Sequence, residues 1–331
     1  MNTSSADHQE TADGVAYFID QKPAPADFLA EVLEGLARLP KSIPPKFFYD
    51  ETGSSLFNKI CETPEYYVTR TEVALMNTIG QEIAALAGPS RAVIEYGCGS
   101  SLKINALLTA LESPSEYLAI DISKEHLLQT AADIAAGHSS VKVGALCADF
   151  SGDLVLPEAL GGSSRRLAFF PGSTIGNQTP SDAQIFLQNV RQVVGEDGSL
   201  LIGVDLEKDK SILDPAYNDA DGYTADFNLN LLQRIKNELG GDVDPDKFRH
   251  HAFFNEKYHR IEMHLVSQED QLITVGGEQF CFSAEETVHT ENSYKYTVER
   301  FSKLAQGAGF KISKTWVDPE GLFSIHYLDA V

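Results

Sequence analysis

Between residues 92 and 206, short apolar runs alternate with amphipathic stretches, and this alternation limits the fold more than any other feature of the chain. AVIEYG (92–97), YLAID (117–121), VKVGALCADF (141–150), RRLAFF (165–170) and SLLIGVDL (199–206) read as buried strands. SLKINALLTALE, SKEHLLQTAADIAAG and PSDAQIFLQNVRQVVG read as the intervening helices, with Ser123 a predicted N-cap. Elements of these lengths in this order predict a parallel sheet with helices on both faces. After Asp205 the pattern breaks. Residues 211–239 read as mostly helical. KYHRIEMHLVSQ, QLITVGG, EQFCFS and ETVHTENS then read as an antiparallel insertion, with Gly276–Gly277 as a hairpin turn. YTVERFSKLAQGAGF (296–310) returns to helix, and KISKTWVD and LFSIHYLDAV supply two closing strands.

Upstream, residues 26–39 place Phe28, Leu29, Val32, Leu33 and Leu36 on one helical stripe ended by Pro40. GSSLFNKICE (53–62) reads as a short helix, and a longer one is expected from about Thr71 to Gly88. The predicted class is α/β: a doubly wound, Rossmann-like sheet with a second, α+β lobe. The core is expected from 70–205 and 296–331, and the lobe, which would bind the substrate, from 1–69 and 206–295.

Composition narrows the partners. The net charge of −22 argues against nucleic acid or an anionic membrane as the main partner. No apolar run approaches the ~18 residues of a membrane span. MNTSSADHQETADGV lacks the basic start and apolar centre of a signal peptide, and its first dozen residues are expected to fray. Cys61, Cys98, Cys147 and Cys281 are scattered and form no CxxC pair. A cytoplasmic chain with reduced thiols is expected, and no histidine spacing, His250–His251 included, predicts a metal site.

The carboxyl ends of the strands carry the chemistry. Glycines in EYGCGSS (95–101) allow a nucleotide-bearing ligand to approach the backbone, and Gly97 is placed there. Asp121 ends the second strand, where a carboxylate can accept both hydroxyls of a ribose. Asp149 and Phe150 end the third, where an acid and a ring suit an adenine. Leu102 stands where a dinucleotide-binding turn would need its third glycine, so S-adenosylmethionine fits better than a nicotinamide cofactor. Lys103, one turn into the following helix, is either a solvated lysine or a contact to the cofactor's methionine carboxylate. PGSTIGN (171–177) follows the fourth strand. Its small residues, Gly172 among them, leave room for a methyl acceptor, and the Asn177 amide can orient an amine or hold a carboxylate.

YDETGSSLFNKICETPEYYVTRTE (49–72), EYGCGSSLK (95–103), FPGSTIGN (170–177) and TENSYKY (290–296) together resemble the histidine-specific N-methyltransferases of ergothioneine biosynthesis. The resemblance runs from about Pro40 to the end. It implies a class I methyltransferase sheet and three methyl transfers from S-adenosylmethionine to the α-amine of L-histidine, giving the betaine hercynine. It also implies that Gly97, Lys103, Asp121, Asp149 and Phe150 hold the cofactor. Tyr66, Asn177 and Tyr217 would hold the α-amine and carboxylate, Met263, Glu291 and Ser293 would line the side-chain pocket, and Tyr49 would face the amine.

Glu291 and Ser293, two apart on a predicted strand, point to one face and could read the two imidazole nitrogens, though a solvated strand face has the same spacing. Relatives acting on tryptophan derivatives share the motif around Tyr66, so such a substrate stays open, as does a non-catalytic S-adenosylmethionine-binding module. The amine must be neutral to attack, and no residue is required as a strong base; Asn177 and the tyrosines are expected to orient it. The chain is expected to act as a monomer on a free small molecule.

Overall fold

In the computed structural model, which describes residues 14–21, 28–99, 101–150, 154–157, 160 and 165–331, the apolar runs form one eight-stranded sheet. The expectation about the first dozen residues lies outside the described residues. In chain order the first seven strands are β1 (Tyr17–Asp20), β2 (Lys41–Ser42), β3 (Ala92–Tyr96), β4 (Glu116–Asp121), β5 (Lys142–Cys147), β6 (Arg166–Phe170) and β7 (Ser199–Asp205). They are followed by β8 (Phe248–Asn255), β9 (Arg260–Ser267), β10 (Gln271–Val275), β11 (Glu278–Phe282), β12 (Thr287–Tyr294), β13 (Phe310–Val317) and β14 (Phe323–Ala330). The large sheet runs β1-β5-β4-β3-β6-β7-β14-β13. It is parallel through β7, and β14 and β13 join antiparallel. Order reverses at β3, between β4 and β6, where an open α/β sheet leaves a crevice for a ligand. Strands β3 and β7 are buried along their whole length, as a sheet covered on both faces requires.

The expected division of the chain needs one correction. Residues 1–69 are expected in the second lobe, but β1 pairs in parallel with β5 at the edge of the large sheet, Tyr17 opposite Gly144. The reason is steric. A Cβ on Gly144 would lie 2.2 Å from the Tyr17 ring, so the glycine lets the ring lie flat on the sheet while its hydroxyl donates to Glu116 (2.7 Å). Four residues of one apolar strand give little periodicity to read.

The insertion supplies β12, β9 and β8 of a second sheet, β2-β12-β9-β8, which β2 joins from the N-terminal part, and β10 and β11 form a hairpin that turns at Gly276–Gly277. β8 was not expected as a strand, because FRHHAFFN mixes its polar and apolar positions. The helix expected from Thr71 begins at Tyr67 and runs to Ala87. Ser123 stands at the N-cap of Lys124–Gly137, yet its side chain makes no capping bond. The Asp121 carboxylate accepts from the Ser123 N–H instead (2.9 Å).

Candidate active site

The long motif at residues 49–72 is a set of supports for two tyrosines. Asp50 caps the helix Glu51–Glu62 by accepting from the Gly53 N–H (2.8 Å), and it also accepts from Asn230 (2.8 Å). Gly53 must lack a Cβ, which would lie 1.7 Å from the Phe48 carbonyl oxygen. This cap sets the Tyr49 ring edge-on against those of Phe57 and Phe227. Arg70 donates to the carbonyls of Thr63, Pro64 and Tyr66 (3.1, 2.6 and 3.0 Å), tying down the turn that presents Tyr66. The Tyr66 ring meets those of Phe57 and Tyr217 edge-on, each at 6.2 Å.

Two further residues of the motif reach across the molecule. Tyr67 donates to Asp205 (2.9 Å) at the end of β7. Glu72, 1% exposed, pairs with Lys103 (2.6 Å) and accepts from the Gly172 N–H (2.9 Å). Gly203 makes room for it, since a Cβ there would lie 2.0 Å from its carboxylate. Lys103 is therefore not a solvated lysine. It is buried, ion-paired and beside Gly172.

Among the residues expected to hold the cofactor, Gly97 has φ +78° and leaves space for the Phe150 ring 3.8 Å from its absent Cβ. That ring packs edge-on against Tyr96, Phe170 and Phe186. Asp121 is half-buried, and one of its oxygens accepts from the Cys98 N–H (3.1 Å), which fixes the carboxylate between the ends of β3 and β4. Asp149 is exposed beside Phe150. Behind them, burial pushes the Glu95 carboxyl up to about 8, with the hydrogen bond from Tyr117 (2.6 Å) pulling the other way. The Gly97 turn, the Asp121 carboxylate and the Phe150 ring thus lie beyond the carboxyl ends of β3, β4 and β5, the edge at which open α/β sheets take their ligands.

Of the residues expected to take the amino acid, Glu291 and Ser293 lie on β12. A bulge between His289 and Glu291 shifts its alternation, so Thr290 and Glu291 are both buried and Ser293 follows on the Glu291 face. Met263 of β9 is the cross-strand partner of Glu291 and is 2% exposed. Glu291 is 8% exposed, and among the described residues its carboxylate has no hydrogen-bond partner. Burial pushes it up to about 7, with Lys295 pulling it down. Tyr217 donates to Ser293 (2.8 Å), so the two residues expected in different subsites touch.

The turn at PGSTIGN packs on β12. A Cβ at Gly176 would lie 2.7 Å from the Tyr294 carbonyl oxygen and 3.6 Å from Ser293 Oγ. The left-handed pair Gly172 (φ +80°) and Ser173 (φ +56°) bends the chain there, and Ser173 accepts from the Asp205 N–H (2.9 Å). Asn177 follows, half-buried, with no side-chain hydrogen bond among the described residues. Tyr49 keeps 41% of its surface open, yet burial is the largest influence on its phenol and raises it well above its usual range, with Glu291 adding to the rise. Glu291 and Tyr217 act on the phenols of both Tyr49 and Tyr66, so these four groups converge on one candidate recess.

Sequence reasoning assigned no role to Glu72, Asp205, Lys208 or Lys295. Glu72 and Lys295 were inside the quoted motifs. Asp205 stood at the end of a predicted strand, a position that marks ligand sites in such sheets. Glu262, His264 and His289 bring ligand-type atoms within 4.8 Å of one another, but Arg260 already holds the Glu262 carboxylate (2.6 and 2.8 Å). They form an ion-paired network on the second sheet.

The chain matches a family described as histidine-specific methyltransferase, SAM-dependent, over residues 28–330. It is 38% identical over 310 residues to histidine N-alpha-methyltransferase of Mycolicibacterium smegmatis, spanning 91% of this chain and 95% of that one. With the protein of the same name from Mycobacterium tuberculosis it shares 39% identity over 301 residues, 89% and 92% of the two chains. It is 30% identical over 299 residues to ergothioneine biosynthesis protein 1 of Neurospora crassa, spanning 84% of this chain and 32% of that protein.

Proposed function

The chain belongs to the S-adenosylmethionine-dependent histidine-specific methyltransferases, and we propose from its recess that it methylates the α-amine of L-histidine three times, giving hercynine, a step of ergothioneine biosynthesis. One observation carries the choice of acceptor: an unpartnered, nine-tenths buried carboxylate, Glu291, beside the Ser293 hydroxyl on one face of β12. Two polar groups so placed match the two nitrogens of an imidazole. They would be left unsatisfied by an indole or a phenyl ring, at a cost of ~10⁴ or more in discrimination.

In this reading Gly97, Asp121, Asp149 and Phe150 hold the nucleoside of S-adenosylmethionine, and Lys103 its methionine carboxylate. When bound, the cofactor supplies an electrophilic methyl group on a sulfonium. Met263 closes the ring pocket as an apolar wall. Gly172, Tyr66 and Tyr217 border the amino-acid backbone. Asn177 and Tyr49 orient the neutral amine and tolerate its growing bulk, and the tyrosine faces suit a quaternary ammonium. All these groups come from one chain, which suits a monomer working on free histidine in the cytoplasm.

The test is mass spectrometry of the protein with S-adenosylmethionine and an equal mixture of the twenty amino acids. A histidine product heavier by three methyl groups, the others untouched, is expected. A methylated tryptophan or tyrosine would overturn the pocket reading.

A further inference from the structure

At the base of the recess the hydrogen atoms can be counted. Lys295 is 1% exposed, and its ammonium donates to Asp205 (2.6 Å), to the Tyr217 oxygen (2.9 Å) and to Ser293 Oγ (2.9 Å), which uses all three of its hydrogens. Tyr217 gives its own hydrogen to Ser293 (2.8 Å). Ser293 Oγ thus accepts twice, both lone pairs are taken, and only its own hydrogen remains for a ligand. Glu291, on the same face, can accept.

Resting on the reading of this recess as an imidazole pocket, we propose that Lys295 is a positioning residue that fixes Ser293 as a donor, so that the pocket selects the neutral ring of histidine. One ring nitrogen accepts from Ser293 and the other gives its N–H to Glu291. The imidazolium, with an N–H at both positions, meets a donor and is excluded. A simple ion pair between Glu291 and an imidazolium would require the opposite.

The surrounding groups keep this polarity. Burial works against the Lys295 charge, but Asp205 and Tyr217 hold its ammonium above the ordinary range. Asp205, at the end of β7, is turned to Lys295, Lys208 and Tyr67 and away from the ring. Tyr66 and Tyr49 keep their phenol protons, burial raising both. Glu291 is then the group facing the ring that changes charge near neutrality, and it becomes an acceptor in the range where free imidazole is also neutral.

Nitrogen-15 NMR of ring-labelled L-histidine, bound with S-adenosylhomocysteine between pH 6 and 8.5, reads the two nitrogens directly. One protonated and one bare nitrogen are expected throughout, even at pH 6, where much of the free amino acid carries a charged ring. Two protonated nitrogens in the wild-type complex would overturn the proposal. Lys295→Met frees a lone pair on Ser293. Its bound ring should take up a second proton at pH 6, and at pH 8 its KM for histidine should rise ~10-fold or more with kcat changed far less. A variant ring that stays singly protonated, or a loss confined to kcat, would count against Lys295. If this variant fails to fold, the wild-type spectrum still decides. A protein that neither binds nor methylates histidine overturns the functional reading and this one with it. Histidine that is methylated while its bound ring carries two protons overturns this inference alone.

Discussion

Glu291 shows what it costs to keep an acceptor waiting in a buried place. Its carboxyl loses its proton near pH 7 in the folded chain and near 4.3 when unfolded. Between those values the folded state holds the extra proton, so the contribution that favours folding is complete at low pH and is lost as pH rises through 7. Glu291→Gln should therefore raise the Tm of the ligand-free protein at pH 8, by roughly 2–4 °C, and change it little at pH 5. The same variant should raise the KM for histidine ~10-fold or more, because the amide no longer offers a charged acceptor to the ring N–H. Differential scanning calorimetry at the two pH values, with steady-state kinetics, checks both; a Tm that falls at pH 8 would show that burial is not the source. Asn177 has another kind of role. Asn177→Ala should cut kcat/KM on the order of 100-fold with little effect on Tm, since the amide makes no side-chain hydrogen bond among the described residues. Unchanged rate and histidine affinity would remove it from the amine site.

At the scale of elements, the βα alternation from 92 to 206, the Gly276–Gly277 hairpin and the closing strands were legible because each is a local pattern. β1 and β8 were not: one is four residues long, and the other mixes its faces. For the site, the strand ends and the spacing of Glu291 and Ser293 could be read. The bulge that turns both inward, and the partners that join Glu72 to Lys103 and Asp205 to Lys295, depend on residues 25 to 90 positions apart and leave no periodic trace. The contact between PGSTIGN and β12 is of this kind, and it is testable. Gly176→Ala would drive a methyl group into the Tyr294 carbonyl, 2.7 Å away. Overpacking against backbone should cost about 1–3 kcal/mol and push Asn177 away from Ser293. A lower Tm together with a higher histidine KM is expected, with S-adenosylhomocysteine affinity, measured by calorimetry, nearly unchanged. Loss of cofactor binding alone would mean that the turn belongs to the donor side.

In the whole molecule, a single apolar cluster runs through the parts that the sequence divided. Phe48 and Ile60 from the N-terminal helices, Ile79, Val93, Leu201 and Tyr327 around the large sheet, and Ile261, Met263 and Val288 of the second sheet all belong to it. Two lobes that share a core lose it together. Far-UV circular dichroism and the fluorescence of Trp316, the chain's single tryptophan, should therefore report one coincident thermal transition. Two separated transitions would mean that the second lobe unfolds by itself. The pairing of β1 with β5 matters earlier in the protein's life. Tyr17 leaves the ribosome well before its partner Gly144, and at roughly 5–20 residues per second the wait is on the order of ten seconds. During translation the apolar YFID segment has no strand to join, and until it docks, the outer edge of β5 stays open to another nascent chain. Slow or crowded synthesis would therefore waste this protein through its first strand, far from any residue that touches a substrate.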